Sequence, residues 1–161
     1  AMNLIGIISD THDHLIHVRR AIALFNERRV NRVIHCGDIV ARFVLEEFSR
    51  SQAPLTVVLG NCDGDPPALQ ESARRLGFEF HLQPVLLELS QRRVFVSHQP
   101  LNSVPECDFY LHGHTHRQRY EPGKPVIVNP GEACGWLSGV ASVAILDLTT
   151  GTVEFPELVT G

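Results

Sequence analysis

The stretch with the most evident chemistry runs from Leu111 to His116 and contains three histidines at every second position. If the apolar run 109–111 is a strand, His114 and His116 follow its end, where the backbone turns, and can present neutral imidazoles to one point. A single His-x-His pair is more often packed and hydrogen-bonded than metal-binding. The stretch predicts a metal site only if other ligands join it.

Four further polar signals each follow an apolar, strand-like run. They are Asp10-Thr11-His12, Gly37-Asp38, Gly60-Asn61 and Ser97-His98. Taken singly, each is more often a turn or a packed histidine. Together they offer carboxylates, an amide oxygen and imidazoles, a set that suits manganese, iron, nickel or zinc and needs no thiolate. We therefore expect all five signals to converge on one metal centre.

The spacing of these residues suggests how each contributes. Asp10 and His12 are two residues apart, so on an extended backbone both side chains point the same way. Asp38 follows a glycine that allows a sharp turn, and its carboxylate has enough lone pairs to bridge two cations. Asn61 adds a neutral oxygen, which limits the negative charge in the centre.

The first half of the chain reads as three strand–helix units. The predicted strands are 3–8, buried on both faces, 33–36 and 55–59; the predicted helices are 14–29 with Asp13 as N-cap, 41–50, and one from Asp65-Pro66-Pro67 to Leu76, ended by Gly77. Such units favour a sheet with parallel strands and right-handed crossovers. Ligands of such sheets bind beyond the carboxyl ends of the strands, where the polar signals lie.

The second half is strand-rich, and no long helix is expected in it. Its predicted strands are 85–89 and 94–97, joined by a turn at 91–93, then 109–111, 126–128, 140–146 and 153–155. We find no linker or repeat. The sequence thus predicts one α/β domain spanning residues 1–161.

Composition narrows the function classes. The chain has 161 residues, 43% of them hydrophobic, and a net charge of −4. Its arginines are scattered, so there is no sign of a partner that is duplex nucleic acid or a membrane surface. The first apolar run is expected to be a core strand rather than a signal peptide. Four widely spaced cysteines predict free thiols and a cytoplasmic location.

The whole series of motifs resembles the calcineurin-like metallophosphoesterases. The shared elements are Asp10-x-His12, Gly37-Asp38, Gly60-Asn61, His98 and Gly113-His114-Thr115-His116. Ser9-Asp10-Thr11-His12, Gly60-Asn61-Cys62-Asp63 and Asn129-Pro130-Gly131 are similar to the small YfcE-type phosphodiesterases. The resemblance covers residues 4 to about 148. It implies the metallophosphoesterase fold, a four-layer sandwich of two mixed β-sheets flanked by helices.

The resemblance also implies a divalent-metal-dependent phosphodiesterase acting on a small phosphodiester substrate. Two metal ions are expected, with manganese favoured over nickel, iron or zinc. One would be held by Asp10, His12, Asp38 and His116, and the other by Asp38, Asn61, His98 and His114, with Asp38 and a hydroxide nucleophile bridging. Two such cations, about 3.5–4 Å apart, can clamp the attacking and leaving oxygens. Asp38, Asn61 and His98 would be the catalytic residues.

Two positions depart from the family pattern. Cys62 stands where larger relatives have a histidine, and we expect it beside the ligands rather than among them. His98-Gln99-Pro100 replaces the common His-Gly-His, so the second histidine is missing. General acid catalysis contributes about 10²–10⁴-fold. We therefore expect weak protonation of the leaving group, with aryl diesters cleaved faster than alkyl diesters.

The remaining histidines are not expected to bind metal. His112 is a candidate substitute acid, although a packed histidine at the strand end is the favoured interpretation. His14, His17, His35 and His81 are expected to be structural or exposed.

Two other functions fit parts of the pattern. A non-catalytic scaffold, like the retromer subunit of the vacuolar-sorting pathway, would share the fold but have a degraded metal site, whereas here all seven ligand positions carry competent side chains. A structural zinc protein would need thiolate-rich, closed sites. A homo-oligomer would be consistent with an exposed patch that includes Phe43, Phe48 or Trp136.

Overall fold

The strands form two sheets that pack face to face in the computed structural model, which describes residues 3–158. The first sheet has six strands in the order β11-β10-β1-β2-β3-β4. These are β1 (Leu4–Ile8), β2 (Arg32–His35), β3 (Leu55–Val58), β4 (Glu79–His81), β10 (Ala144–Asp147) and β11 (Val153–Glu154). Strands β1 to β4 are mutually parallel, and β10 and β11 pair antiparallel at one edge.

The second sheet has five strands in the order β5-β6-β7-β9-β8. They are β5 (Val85–Leu89), β6 (Arg92–Val96), β7 (Phe109–Leu111), β8 (Gln118–Glu121) and β9 (Val126–Pro130). The β6, β7 and β9 strands are parallel, while β5 and β8 pair antiparallel at the two edges. Both sheets are therefore mixed, as the family resemblance implies.

Three helices in the described range pack on the outer face of the first sheet. They are α1 (Leu15–Arg28), α2 (Arg42–Glu47) and α3 (Pro66–Leu76), and a 3-10 turn at Phe48–Arg50 follows α2. Their buried residues share one apolar cluster with Leu4 and Ile8 of β1. No helix in the part of the chain described here is both long and apolar enough to cross a bilayer.

The alternation of side chains along β1 explains why it is apolar throughout. Leu4 and Ile8 face the helices, whereas Ile5 and Ile7 face the second sheet. In β6 and β7, the residues on either side of Phe95 and Tyr110 face the first sheet, and these two rings point outward. The segment between β6 and β7 covers them with Val104 and Cys107. The predicted α/β fold is confirmed, with a loop in place of helices on this outer face.

The ends of the helices differ slightly from the prediction. Helix α1 begins one residue late because His14, not Asp13, caps it, its Nδ1 accepting from the His17 N–H at 3.3 Å. The Asp13 carboxylate instead accepts from the N–H of Ala41, the residue that precedes α2. The third predicted helix is confirmed, including the Asp65 cap and the left-handed Gly77 at its end.

Two strands were missed from the sequence, and two other predictions needed correction. The sequence did not reveal β4, an edge strand of only three residues, or β8, an edge strand whose residues are mostly exposed and lack an apolar pattern. The strand predicted for 140–146 starts only at Ala144, because Val140 lies in an exposed loop. Phe48, proposed for an exposed patch, is fully buried, whereas Phe43 and Trp136 are exposed by 48% and 62%.

Candidate metal centre

The predicted ligands meet at one edge of the sandwich because both sheets direct parallel strand ends there. Asp10, Asp38 and Asn61 follow β1, β2 and β3 of the first sheet. His98 and His114 follow β6 and β7 of the second sheet. The two groups of loops therefore face each other across the interface between the sheets.

The backbone of these loops is unusual. Asp10, His12, Asp38, His114 and His116 all have positive φ, between 42° and 72°. This region is uncommon for residues other than glycine, and such conformations concentrate at functional sites. The expectation that Asp10 and His12 extend from a regular strand was wrong, since the chain turns at both residues. Their side chains still converge, with His12 Nε2 3.7 Å from Asp10 Oδ1.

One set of atoms gathers around Asp10. His12 Nε2 lies 3.4 Å from Asp38 Oδ2, and His116 Nε2 lies 3.4 Å from Asp10 Oδ1. One ligand atom from each of these four side chains falls within 4.8 Å of all the others. This spacing suits a single cation between them.

A second set gathers on the other side of Asp38. His98 Nε2 lies 3.3 Å from Asp38 Oδ2 and 2.7 Å from Asn61 Oδ1. His114 Nδ1 lies 3.1 Å from the same Asn61 oxygen and 3.3 Å from His98 Nε2. The structure thus brings all seven predicted side chains together, with Asp38 between the two sets.

The oxygen and nitrogen atoms of these side chains are arranged to bind a cation rather than to form hydrogen bonds with one another. Asp10 Oδ1 and His12 Nε2 are buried and have no hydrogen-bond partner among residues 3–158. His98 Nδ1 must donate to the Cys36 carbonyl at 2.7 Å, because a carbonyl only accepts, so in the neutral ring Nε2 carries a lone pair. Lone pairs that face one another require positive charge between them, so the side chains present fit divalent metal ions.

Protons would take that place when metal is absent. The Asp10 carboxylate, 3.7 Å from the ring, raises the pKa of His12 above its ordinary value. Burial lowers the pKa of His98, but the hydrogen bond and charge of Asp38 outweigh it and raise the net value. Burial likewise raises the pKa of Asp38, yet the hydrogen bonds from His98 and from the Cys62 N–H bring it below its usual range. The centre therefore attracts cations strongly.

Asp63, to which sequence reasoning gave no role, holds two of these loops. Its carboxylate accepts from the N–H groups of Asp38 at 3.1 Å, Val40 at 2.7 Å and Gly60 at 2.8 Å. This stabilises the backbone at Asp38 and at Val40, a β-branched residue whose φ is 80°. The only sequence signal was its place in the Gly60-Asn61-Cys62-Asp63 motif, and its burial became evident from the structure.

Asn129 holds the loop that carries His114 and His116. Its amide donates to the carbonyl of Gly113 at 3.1 Å and to Thr115 Oγ1 at 3.0 Å. Its own oxygen accepts from the Gly131 N–H at 2.9 Å. The Asn129-Pro130-Gly131 motif thus stabilises the loop that carries two of the candidate ligands.

Glu132, just after that motif, also escaped the sequence analysis. It is fully buried, and its Oε2 lies 2.6 Å from His116 Nδ1. The only available signal was an acid within a run of small residues from Gly131 to Cys134.

The two departures from the family pattern lie where expected. Cys62 is exposed and contacts the centre through its N–H, which donates to Asp38 Oδ1 at 2.8 Å. Partial desolvation of its thiol and the nearby Asp38 charge raise the pKa of that thiol, which favours the protonated form. Pro100 is exposed and has no proton to give.

The other histidines lie outside both ligand sets. His112 is buried and accepts from Arg119 Nη1 at 3.0 Å, and burial lowers its pKa, so it is poorly suited to donate a proton to substrate. His35 is fully buried, and His17 contacts the Ala133 carbonyl at 2.7 Å. His14 caps α1, and His81 pairs with Glu79.

Comparisons with known proteins agree with this geometry. The sequence profile of the calcineurin-like phosphoesterase superfamily domain matches residues 2–151. Phosphodiesterase MJ0936 of Methanocaldococcus jannaschii is 39% identical over 164 residues, covering 96% of this chain and 98% of the relative. A solved structure of a novel archaeal phosphodiesterase superposes with a TM-score of 0.90 at 34% identity, covering 96% of this chain and 99% of the other.

A more distant structure shares the fold. YfcE, a phosphoesterase from E. coli, superposes with a TM-score of 0.73 at 19% identity, covering 97% of this chain and 100% of that one. The family resemblance inferred from the motifs is confirmed. The chain belongs to the calcineurin-like phosphoesterase superfamily.

Proposed function

We propose that this protein is a metal-dependent phosphodiesterase with a dinuclear centre. The proposal rests on the position of Asp38 between the two sets of candidate ligands. Its Oδ2 lies 3.4 Å from His12 Nε2 in one set and 3.3 Å from His98 Nε2 in the other. The phosphodiesterase activity named for the 39%-identical relative supports the same reaction. The seven predicted side chains would hold the metals: Asp10, His12, Asp38, Asn61, His98, His114 and His116.

Divalent ions bound there would generate hydroxide from water near neutral pH and offset the charge of the phosphate. The protein's own part is to orient their ligands. The loops place Asp38 between the two sets, and the Cys36 carbonyl keeps the His98 lone pair directed at Asn61 and Asp38. Asn61 contributes an uncharged oxygen, so the centre retains a net attraction for an anionic diester. No side-chain nucleophile is required.

The oxygen and imidazole donors suit manganese, nickel, iron or zinc. Among these we propose manganese, the ion that the family resemblance favours. We propose a small phosphodiester as substrate, a choice supported by the name of the 39%-identical relative and by the cleft of about 570 Å³ that His116 lines. A cytoplasmic location stays a prediction that rests on the free thiols. A homo-oligomer also stays a prediction, with exposed Phe43 and Trp136 as the candidate contacts.

The test is hydrolysis of bis(p-nitrophenyl) phosphate by protein stripped with a chelator and then resupplied with Mn²⁺, together with metal content by elemental analysis. We expect turnover only with metal, and about two ions per chain. Asp38→Asn should abolish the turnover and the binding of two ions, because Asp38 lies in both ligand sets. Asp65→Asn is the matched control, since asparagine also caps a helix well and Asp65 lies outside the centre.

A non-catalytic scaffold makes the opposite prediction. It would show less than one metal per chain and no metal-dependent turnover. That result would overturn the proposal and leave the fold as a binding module.

A further inference from the structure

The contacts of Glu132 point to a role beyond supporting one histidine. Its Oε2 accepts from His116 Nδ1 at 2.6 Å. Its Oε1 accepts from the N–H groups of Leu137 at 2.6 Å and Ser138 at 2.9 Å. All three partners donate, so this fully buried carboxylate is satisfied by one side chain of the centre and two backbone groups of a surface loop.

The contact with His116 fixes the state of its ring. A carboxylate that accepts from Nδ1–H leaves Nε2 with its lone pair, and Nε2 lies 3.4 Å from Asp10 Oδ1. Carboxylates behind metal-binding histidines orient the ring in this way. Without Glu132, either ring nitrogen of His116 could carry the proton.

The loop held by the other oxygen lies against the centre. Its N-terminal side is bound to the strand-end loop by Ala133 N–H to Ser9 O at 3.0 Å and Cys134 N–H to Asp10 O at 3.2 Å. In the chain, Trp136 lies between the hydrogen-bonded residue Cys134 and Leu137, whose N–H is bound to Glu132. Its ring centroid is 5.9 Å from that of His12, although the residue is 62% exposed. An exposed tryptophan is thus held beside a candidate ligand from both sides.

We propose that Glu132 is a positioning residue that couples the metal centre to the loop 135–138, so that the orientation of His116 and the location of Trp136 depend on each other. The inference rests on the proposed metal centre. By reciprocity, metal binding then changes the surroundings of Trp136, and a change in the loop alters metal affinity.

The chain supplies its own reporter, because Trp136 is its single tryptophan. Titration of metal-free protein with Zn²⁺, a diamagnetic ion, should change the emission of Trp136 in step with binding measured by calorimetry. Glu132→Gln retains the volume of the side chain but has only one accepting oxygen, so it cannot serve His116 and the loop together. We expect Zn²⁺ affinity to fall about 10–100-fold and the emission change to disappear or to separate from binding.

Two controls separate coupling from misfolding. Glu157→Gln changes an exposed acid that lines the same cleft of about 570 Å³ as His116, and it should behave as wild type. In metal-free Glu132→Gln at about pH 8, long-range ¹H–¹⁵N spectra should show the His116 proton moved from Nδ1 towards Nε2. A variant damaged only in its packing would retain the wild-type tautomer.

The outcomes distinguish the two proposals. If wild-type protein binds no Zn²⁺, the metal centre itself is wrong. If wild type binds Zn²⁺ but Glu132→Gln binds it equally well, or if Trp136 emission never responds, the centre stands and the coupling is refuted.

Discussion

Gly60→Ala is the sharpest test of the position assigned to Asp38. A Cβ built on Gly60 would lie 2.3 Å from Asp38 N and 2.3 Å from Asp38 Oδ1. Ordinary contact begins at 3.4 Å, so the gap must open by about 1 Å, which is 3.4 − 2.3 = 1.1 Å. Asp38 cannot swing away freely, because its N–H is bound to Asp63 and its Oδ1 to the Cys62 N–H.

A displacement of about 1 Å at a reacting centre lowers activity about 10²-fold. Overpacking of this kind also lowers the free energy of unfolding by about 1–3 kcal/mol. We therefore expect kcat/KM on bis(p-nitrophenyl) phosphate to fall by about two orders of magnitude at saturating Mn²⁺, while urea unfolding still shows a cooperative transition.

Gly64→Ala is the matched control, because a Cβ there meets no atom within 4 Å among the described residues. The same substitution in the same loop should leave rate and stability near wild type. If Gly60→Ala also retained kcat/KM within about threefold of this control, Asp38 would not be needed where the structure places it, and the shared-ligand reasoning would fail.

Four other predictions follow from the environments of single groups. Burial lowers the pKa of His35 from 6.5 to about 3, so this ring stays neutral in the native state and gains a second proton only on unfolding. The free energy of unfolding should therefore fall by about 2 kcal/mol between pH 6.5 and about pH 5. Urea midpoints measure this slope, and His35→Gln should remove it. Because the pKa values of His12 and His98 are raised, protons should compete with metal from above pH 6.5 downward; Mn²⁺ affinity that stays constant across this range would contradict histidine ligation. Of the four thiols, Cys62 alone should react with Ellman's reagent in native protein and all four after denaturation; two fast native thiols would contradict the burial assignments. With Pro100 in place of an acid, aryl diesters should be cleaved at least about 10²-fold faster than matched alkyl diesters, and equal rates would mean that another group protonates the leaving oxygen.

The candidate ligands could be predicted because the end of a buried strand is visible in the sequence as an apolar run followed by a polar residue. Asp10, Asp38 and His98 each follow such a run, and parallel strands bring such ends to one edge of a sheet. The types of the side chains then limited the chemistry to metals with oxygen and nitrogen ligands.

The supporting contacts could not be found in the same way. Asp63 and Glu132 act through hydrogen bonds to backbone N–H groups, and the identity of a residue does not reveal which N–H groups its side chain will meet. The left-handed backbone at Asp10 and His12 was also invisible, because these residue types tolerate positive φ without requiring it. The edge strand β8 was missed because it is polar and solvent-facing.

The division of the ligands between the two sheets has a consequence for how the protein is made. Asp10, Asp38 and Asn61 belong to the first sheet, and His98, His114 and His116 to the second. A bound ion would link the two sheets, and its binding would increase the free energy of unfolding. A growing chain that has completed only its first three strands would contain four of the seven predicted ligands, Asp10, His12, Asp38 and Asn61. An ion that needs all of these side chains could be bound only once strands from both sheets are in place, so its binding would link the two halves of the chain.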